Sequence, residues 1–401
     1  MPRTVDHPTN PAIDLLAGEF YAGDPHAAWT WMRENAPVYF DEVGQVWGLA
    51  AYDDVLMASK DPGTFSSAQG MRPHALAISD NMIDKDDPEH KARRMLVSRG
   101  FTPGRVRDRT DEIQTLCDTI IDTAIAKMAD TGTCDFVWDI AAPLPLLLIN
   151  DMLGFDRSMS DQLLTWSEDM LCALTREPTD EQFTRQMMAA LGFREYQMGV
   201  IADRRERPLD DLVSVLVEAE IDGEKLDDEA LVMEALLILV GGDETTRHVI
   251  SGGMQALLQN PEQYELLRTG GVSIEAGIDE MLRWVTPIKN MNRTATSDVE
   301  VGGQLIGKGD QVLLLYPSAN RDSNHFTDPF TFDVQRSPNN HLAFGFGTHF
   351  CLGNALARLE MKIMFETVFR RLPNLRLASD ETLPHRPGNL VSGLERMPVV
   401  F

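Results

Sequence analysis

The stretch His341-Leu-Ala-Phe344-Gly345-Phe-Gly347-Thr-His349-Phe-Cys351-Leu-Gly353-Asn-Ala-Leu-Ala-Arg358-Leu-Glu360 constrains the fold more than any other part of the chain. A loop loosened by two glycines runs into an amphipathic helix, with one cysteine at the junction. Gly345 and Gly347 let the backbone bend sharply and approach a flat ligand, which a β-carbon would obstruct. From position 352 onward, Leu352, Ala355, Leu356, Leu359, Met361 and Ile363 suit a helix with one buried face. Cys351 then lies at the helix N-terminus, where peptide N–H groups and the dipole favour a thiolate. A thiolate offered in this way is an axial ligand for the metal of a macrocycle.

The other cysteines, Cys117, Cys134 and Cys172, sit in helix-like apolar patterns. No two cysteines have the short spacing of a zinc site or a redox dithiol, so these three read as small buried hydrophobes.

Composition sets outer bounds. The chain of 401 residues carries 62 acidic against 36 basic residues, a formal net charge of −26, which argues against nucleic acid and anionic membrane surfaces as partners. The N-terminus lacks a charged-then-apolar signal segment, and the apolar runs 144–149 and 231–240 are short or interrupted by a carboxylate. No membrane span is expected. Four unpaired cysteines suit a reducing, cytoplasmic setting, and the lack of a linker-like stretch suggests one domain over 1–401.

The fold reads as mainly α with a small β portion. Helices are expected at 24–35, 88–100, 113–128, 161–174, 183–204, 210–220 and 227–259 from caps and 3.6-residue periodicity. Strand patterning is confined to 38–40, 46–49, 299–301, 311–315 and 399–401. Between 65 and 87 a loop-like stretch carries the apolar residues Met71, Leu76, Ile78, Met82 and Ile83; long loops in compact enzymes often cover ligands.

Inside the longest helical pattern lies Val240-Gly241-Gly242-Asp243-Glu244-Thr245-Thr246. Two adjacent glycines in a helix interior cost about 2 kcal/mol relative to alanine, so they need a reason. Close packing against another helix is one. Room for a small ligand is another, because Thr245 can bond back to a carbonyl of the preceding turn and open a bulge. Glu244 beside it is an ionisable group able to relay protons. Further on, Glu280 and Arg283 share a helix face at i, i+3 spacing, which by itself is most often a solvated pair. Met71, Ile78, Met82, Leu236, Val240, Gly241, Ile288, Met291 and Val391 are candidates for an apolar substrate pocket.

The 344–353 stretch resembles the signature Phe-Gly-x-Gly-x-His-x-Cys-x-Gly of the haem-thiolate monooxygenases, the cytochromes P-450, matching every fixed position with Phe344, Gly345, Gly347, His349, Cys351 and Gly353. The 241–246 run is similar to the family's central-helix pattern, with Gly241 replacing the commoner alanine. The resemblance implies a triangular prism of helices around a buried haem b, with Cys351 as iron ligand and Phe344, Gly345 and Gly347 against the cofactor. It implies propionate contacts from His90, Arg94, Arg293 and His349, and proton delivery by Glu244 and Thr245. It assigns Glu280, Arg283 and Arg336 to structure. Electrons would come singly from a ferredoxin with its reductase, since no flavin or nicotinamide fingerprint occurs; Lys91, Arg93, Arg99 and Arg358 would supply the docking charge. Nearly the whole chain is similar to the mycobacterial branch that oxidises a terminal methyl of the cholesterol or cholestenone side chain with dioxygen, and can continue to aldehyde and acid. Fatty-acid or methyl-branched lipid ω-hydroxylation, a haem-thiolate peroxygenase or isomerase, and a haem-based sensor are the alternatives.

Overall fold

Helices laid against one long helix make up most of the structure, a computed structural model describing residues 7–74, 78–221 and 223–401. Leu76 of the apolar loop lies outside the described residues. The central helix Asp228–Gln259 starts on Asp227, whose carboxylate accepts the Ala230 N–H at 2.8 Å. At 32 residues it is roughly 48 Å long. Its buried residues, among them Leu231, Ala235, Leu239, Ile250 and Leu257, occupy most of its circumference, as befits a helix enclosed by others. Pro143–Leu153, Ile274–Val285 and Asn354–Arg371 pack against it.

The helices expected between 113 and 220 form as Thr110–Thr131, Ser160–Leu171, Asp180–Glu206 and Leu212–Glu218. Asp180–Glu206 opens with a reciprocal cap in which Thr179 and Gln182 exchange side chain and backbone bonds. Phe136–Leu153 is long and apolar enough to cross a membrane, with a mean hydropathy of 1.4, yet 72% of it is buried inside the protein. Its apolar length is spent on the core beside the central helix, which is where a helix hydrophobic on all sides belongs.

The β portion is a five-stranded sheet in the order Val38–Asp41, Val46–Leu49, Gln311–Leu314, Met291–Ala295, Phe65–Ser66. Only the Val46–Leu49 and Gln311–Leu314 pairing is parallel. Val299–Val301 forms a hairpin with Gln304–Ile306, and Pro398–Val400 joins Cys134–Asp135 and Arg376–Leu377. Strand Met291–Ala295 lies outside the expected set. Its residues Asn292, Arg293 and Thr294 give no apolar alternation, because inside the sheet both Asn292 and Arg293 are buried.

Glu280 and Arg283 are fully buried, at 0% exposure each. Spacing alone suggests a solvated pair; packing makes it the opposite. Arg283 grips Glu280 through Nε and Nη2, both at 2.7 Å, and donates to the carbonyls of Asn320, Pro329 and Thr331. Arg336 adds Nε at 3.2 Å to Glu280 and reaches the carbonyls of Thr327, Asp328 and Thr331. The Asp333 N–H and Asn339 Nδ2 complete the carboxylate's shell at 2.9 and 3.1 Å. Two cations and their carbonyls thereby pin the 320–336 chain ahead of the cysteine loop. Removing one member of such a buried set strands the rest, so Arg336→Ala should lower the unfolding free energy by about 3–5 kcal/mol in guanidinium titration; a loss under about 1 kcal/mol would mean the set is solvated after all.

Candidate active site

The cysteine loop is held by backbone geometry. Gly345 and Gly347 have φ of +66° and +76°, the left-handed region that side chains avoid. A β-carbon on Gly347 would stand 2.1 Å from the Ser59 carbonyl oxygen in helix Tyr52–Lys60. Thus the glycine there answers to a neighbouring helix as well as to any flat ligand. The Cys351 N–H donates to the Phe344 carbonyl at 3.0 Å, and Asn354 Nδ2 donates to the Cys351 carbonyl at 2.8 Å. Arg358 stacks over the Phe344 ring at 4.5 Å.

The following helix starts at Asn354, so Cys351 precedes it instead of beginning it. Burial pushes the Cys351 thiol upward, outweighing the Gly353 N–H and the cations Arg94 and Arg358. The N–H groups ahead of the helix favour the thiolate as expected, but burial opposes them more strongly. Metal coordination is what deprotonates such a sulfur.

Four basic groups converge near the loop. His90 and Arg94 come from helix Glu89–Ser98, Arg293 from strand Met291–Ala295, and His349 from the loop itself. The His90 and His349 rings are 4.1 Å apart, Arg94 Nη2 donates to the Phe350 carbonyl at 2.6 Å, and Arg293 Nη1 to the Asn292 carbonyl at 2.8 Å. Burial, then the charges of Arg293, His90 and Arg94, pull His349 down to about 3. Asp87, 3.1 Å from His90 Nδ1, is the carboxylate in contact with this group among the described residues. With two arginines and two imidazoles gathered against one contacting carboxylate, the cluster favours an anionic guest. A haem, bringing two propionates and an iron for Cys351, fits these residues.

On the opposite side, the two glycines of the central helix divide the two explanations between them. A β-carbon on Gly242 would meet Ile149 Cγ1 at 2.8 Å, so this glycine is there for packing. On Gly241 it would meet nothing within 4 Å, and Gly241 is exposed in the middle of a buried helix. That opening is where a ligand has room. Thr245 Oγ1 does bond back to the Gly241 carbonyl at 2.9 Å, but the helix runs unbroken from Asp228 to Gln259. The expected bulge is absent; a hydroxyl can accept this position without displacing the ladder.

Glu244 is fully buried and charged. Burial would raise its carboxyl, but Arg247 at 2.5 Å, His248 at 3.4 Å and Arg386 at 3.0 Å hold it well below the ordinary range. Arg386 and Glu168, which also pairs with Arg247 and Arg386, carry no local signal in the sequence because they reach the site from a distant loop and helix.

The apolar candidates do not all gather. Met71, Ile288 and Met291 pack with Leu171 on a buried cluster of Leu174, Leu390 and Val391; the three leucines escape a reading based on loops. Leu236 lies half-buried against the main core and Val240 is half-buried one turn before Glu244. Met82 belongs to the main core at 7% exposure, because its short 3-10 turn folds inward. Ile78 is 47% exposed and edges a cavity of about 570 Å³ lined by Asp80, Asp84, Asp86, Asp87 and Glu89, an acidic setting unsuited to an apolar ligand. Arg93 also leaves the set of surface charges: it is buried against Asp80, Glu89 and Glu234.

If the glycines differ as described, alanine should have opposite effects at the two positions. Gly241→Ala gains up to about 1 kcal/mol of helix propensity, whereas Gly242→Ala meets Ile149 and should lose about 1–3 kcal/mol. Paired thermal melts check the order, and a more stable Gly242→Ala would refute the packing role.

The residues 274–392 match the family model for cytochrome P-450. Over 98% of the chain and 97% of the relative, 50% of residues are identical to the steroid C26-monooxygenase of Mycobacterium tuberculosis. The methyl-branched lipid omega-hydroxylase of the same organism is 34% identical over 98% of the chain and 96% of its own length. A Mycobacterium marinum cytochrome P-450 solved in complex with pseudoionone superposes with a TM-score of 0.89 at 31% identity, covering 98% of this chain and 99% of that one. The thiol loop, the cationic ring and the opened central helix thus have a common explanation: the chain belongs to the cytochrome P-450 family of haem-thiolate monooxygenases.

Proposed function

We propose that this enzyme hydroxylates a terminal methyl of a steroid side chain, cholesterol or cholest-4-en-3-one, and can carry the product on to aldehyde and carboxylic acid. The observation that carries this reading is the 50% identity to a steroid C26-monooxygenase over nearly both full lengths. The apolar cluster of Leu171, Leu174, Leu390, Val391, Ile288, Met291 and Met71 supports it, since it abuts the strand bearing Arg293. ω-Hydroxylation of methyl-branched lipids is the second reading, favoured by the 34% relative.

Bound haem supplies the activation of dioxygen, with a thiolate ligand that favours O–O cleavage. In balance, one oxygen atom enters the C–H bond and the other leaves as water, consuming two electrons and two protons. The chain's residues serve this in distinct ways. Cys351 would ligate the iron, and His90, Arg94, Arg293 and His349 would neutralise the propionates. Thr245 presents a hydroxyl whose proton now goes to the Gly241 carbonyl, ready to be turned toward the opening. Glu244 feeds it protons, and its partners Arg386 and Glu168, 16% and 23% exposed in their side chains, lead toward solvent.

The electron donor in this reading is a ferredoxin with its reductase, in a cytoplasmic setting, and the chain acts as one domain. Arg94 and Arg358 act on Cys351, and the exposed Lys91 and Arg99 lie on and just after the helix that carries Arg94, so positive charge gathers on this side of a protein of net charge −26; an acidic partner is steered by such a patch.

Two measurements test the assignment. Micromolar cholestenone should shift the ferric haem to high spin; no shift with sterol, while a methyl-branched fatty acid gives one, would move the substrate to the second reading. Thr245→Ala should still reduce dioxygen but release it as hydrogen peroxide, with product per electron lower by on the order of tenfold. Unchanged coupling would remove Thr245 from proton delivery.

A further inference from the structure

Asp243 precedes Glu244 on the central helix and is equally buried, at 0% exposure. Its Oδ2 lies 2.8 Å from Ser167 Oγ, which lies 3.4 Å from Glu244 Oε1, so a protonated Oδ2 donates to the hydroxyl and the hydroxyl donates to Glu244. Ser167, fully buried in helix Ser160–Leu171, therefore bridges two carboxyl groups. Asp243 Oδ1 has no hydrogen-bond partner among the described residues.

The charges facing Asp243 come from three elements. Arg247 and Glu244 share its helix, Glu168 stands beside Ser167, and Glu360 faces it from helix Asn354–Arg371. His248 and Arg386 act on Glu244. A buried carboxyl with one neutral hydroxyl partner, a bare oxygen and three acids around one arginine is better accommodated uncharged. Burial accordingly raises Asp243 to about 7, against the pull of Arg247 and with the push of Glu244. Adjacent residues thus sit in opposite protonation states, the arrangement that sets up proton transfer between two acids.

We propose that Asp243 holds a transferable proton and that the Ser167 hydroxyl passes it to Glu244, making a one-proton store behind Thr245. The step moves no electrons. The Asp243 Oδ2–H bond breaks as a bond to Ser167 Oγ forms, while the hydroxyl's own proton passes to Glu244 Oε1. Glu244 keeps Arg247 and Arg386 on Oε2 throughout, and Asp243 is left as a carboxylate facing Arg247. Asp243 and Ser167 act through Glu244 and are positioning residues. The proposal rests on the reading that Glu244 supplies Thr245.

The test begins with infrared difference spectra of the haem-loaded protein between about pH 5 and about pH 9. The protonated-carboxyl absorption titrating near pH 7 should lose one component in Asp243→Asn, and that component should persist in Glu234→Gln and Glu360→Gln, the other buried carboxyls that burial raises. A band pattern identical in wild type and Asp243→Asn would overturn the proposal. Turnover gives the second readout. Asp243→Asn and Ser167→Ala should lower product per electron several-fold and raise the solvent isotope effect, with the reduced carbon monoxide spectrum unchanged, while Ser167→Thr restores coupling. If both variants couple normally and Glu244→Gln does not, the store fails and the Glu244 reading survives. If Glu244→Gln also couples normally, the underlying reading fails with it.

Discussion

A carboxylate with no access to water carries the architecture around the cysteine. Glu280 would be intolerable where it lies without Arg283 and Arg336, and the two arginines would be equally so without Glu280 and the six carbonyl contacts they make. Each partner is stable only if the others are placed, so the set defines one arrangement of chain 320–336. The loop to Cys351 starts from that fixed point. Everything the sulfur does depends on where this network ends.

The same logic, applied with the opposite outcome, distinguishes the cofactor region. There the chain gathers His90, Arg94, Arg293 and His349 and supplies Asp87 as the contacting acid. One cluster balances its charges within the protein; the other gathers more basic groups than acids, an excess that an anionic guest would balance. Between them the central helix is closely packed at Gly242, against Ile149, and open at Gly241, where a β-carbon would meet nothing. Function here is a matter of which polar groups the fold leaves for something else to satisfy.

Much of this was legible in the sequence where the signal is local. The helices from 113 to 259 follow their apolar period, and the 341–360 stretch announces both its glycines and its cysteine. What escaped was long-range. Strand Met291–Ala295 hides because its buried residues are polar. Ser167, Glu168 and Arg386 reach the Glu244 site from helix Ser160–Leu171 and a C-terminal loop, with no spacing to betray them. Met82 and Arg93 look like surface or pocket residues by position, yet tertiary packing turns both inward. The Glu280–Arg283 spacing cannot distinguish a solvated pair from a buried one, because solvent exposure is decided by the later segment that covers it.

The contact between position 347 and Ser59 has a further consequence. It is made by main-chain atoms on the Ser59 side, a carbonyl oxygen facing a missing β-carbon. Side-chain drift at 59 leaves the fit intact, while a tilt of the helix Tyr52–Lys60 toward the loop would press on the backbone four residues before Cys351. The seat of the cysteine loop on that helix is thus written in main-chain shape, where exchanging the side chain at 59 cannot reach it.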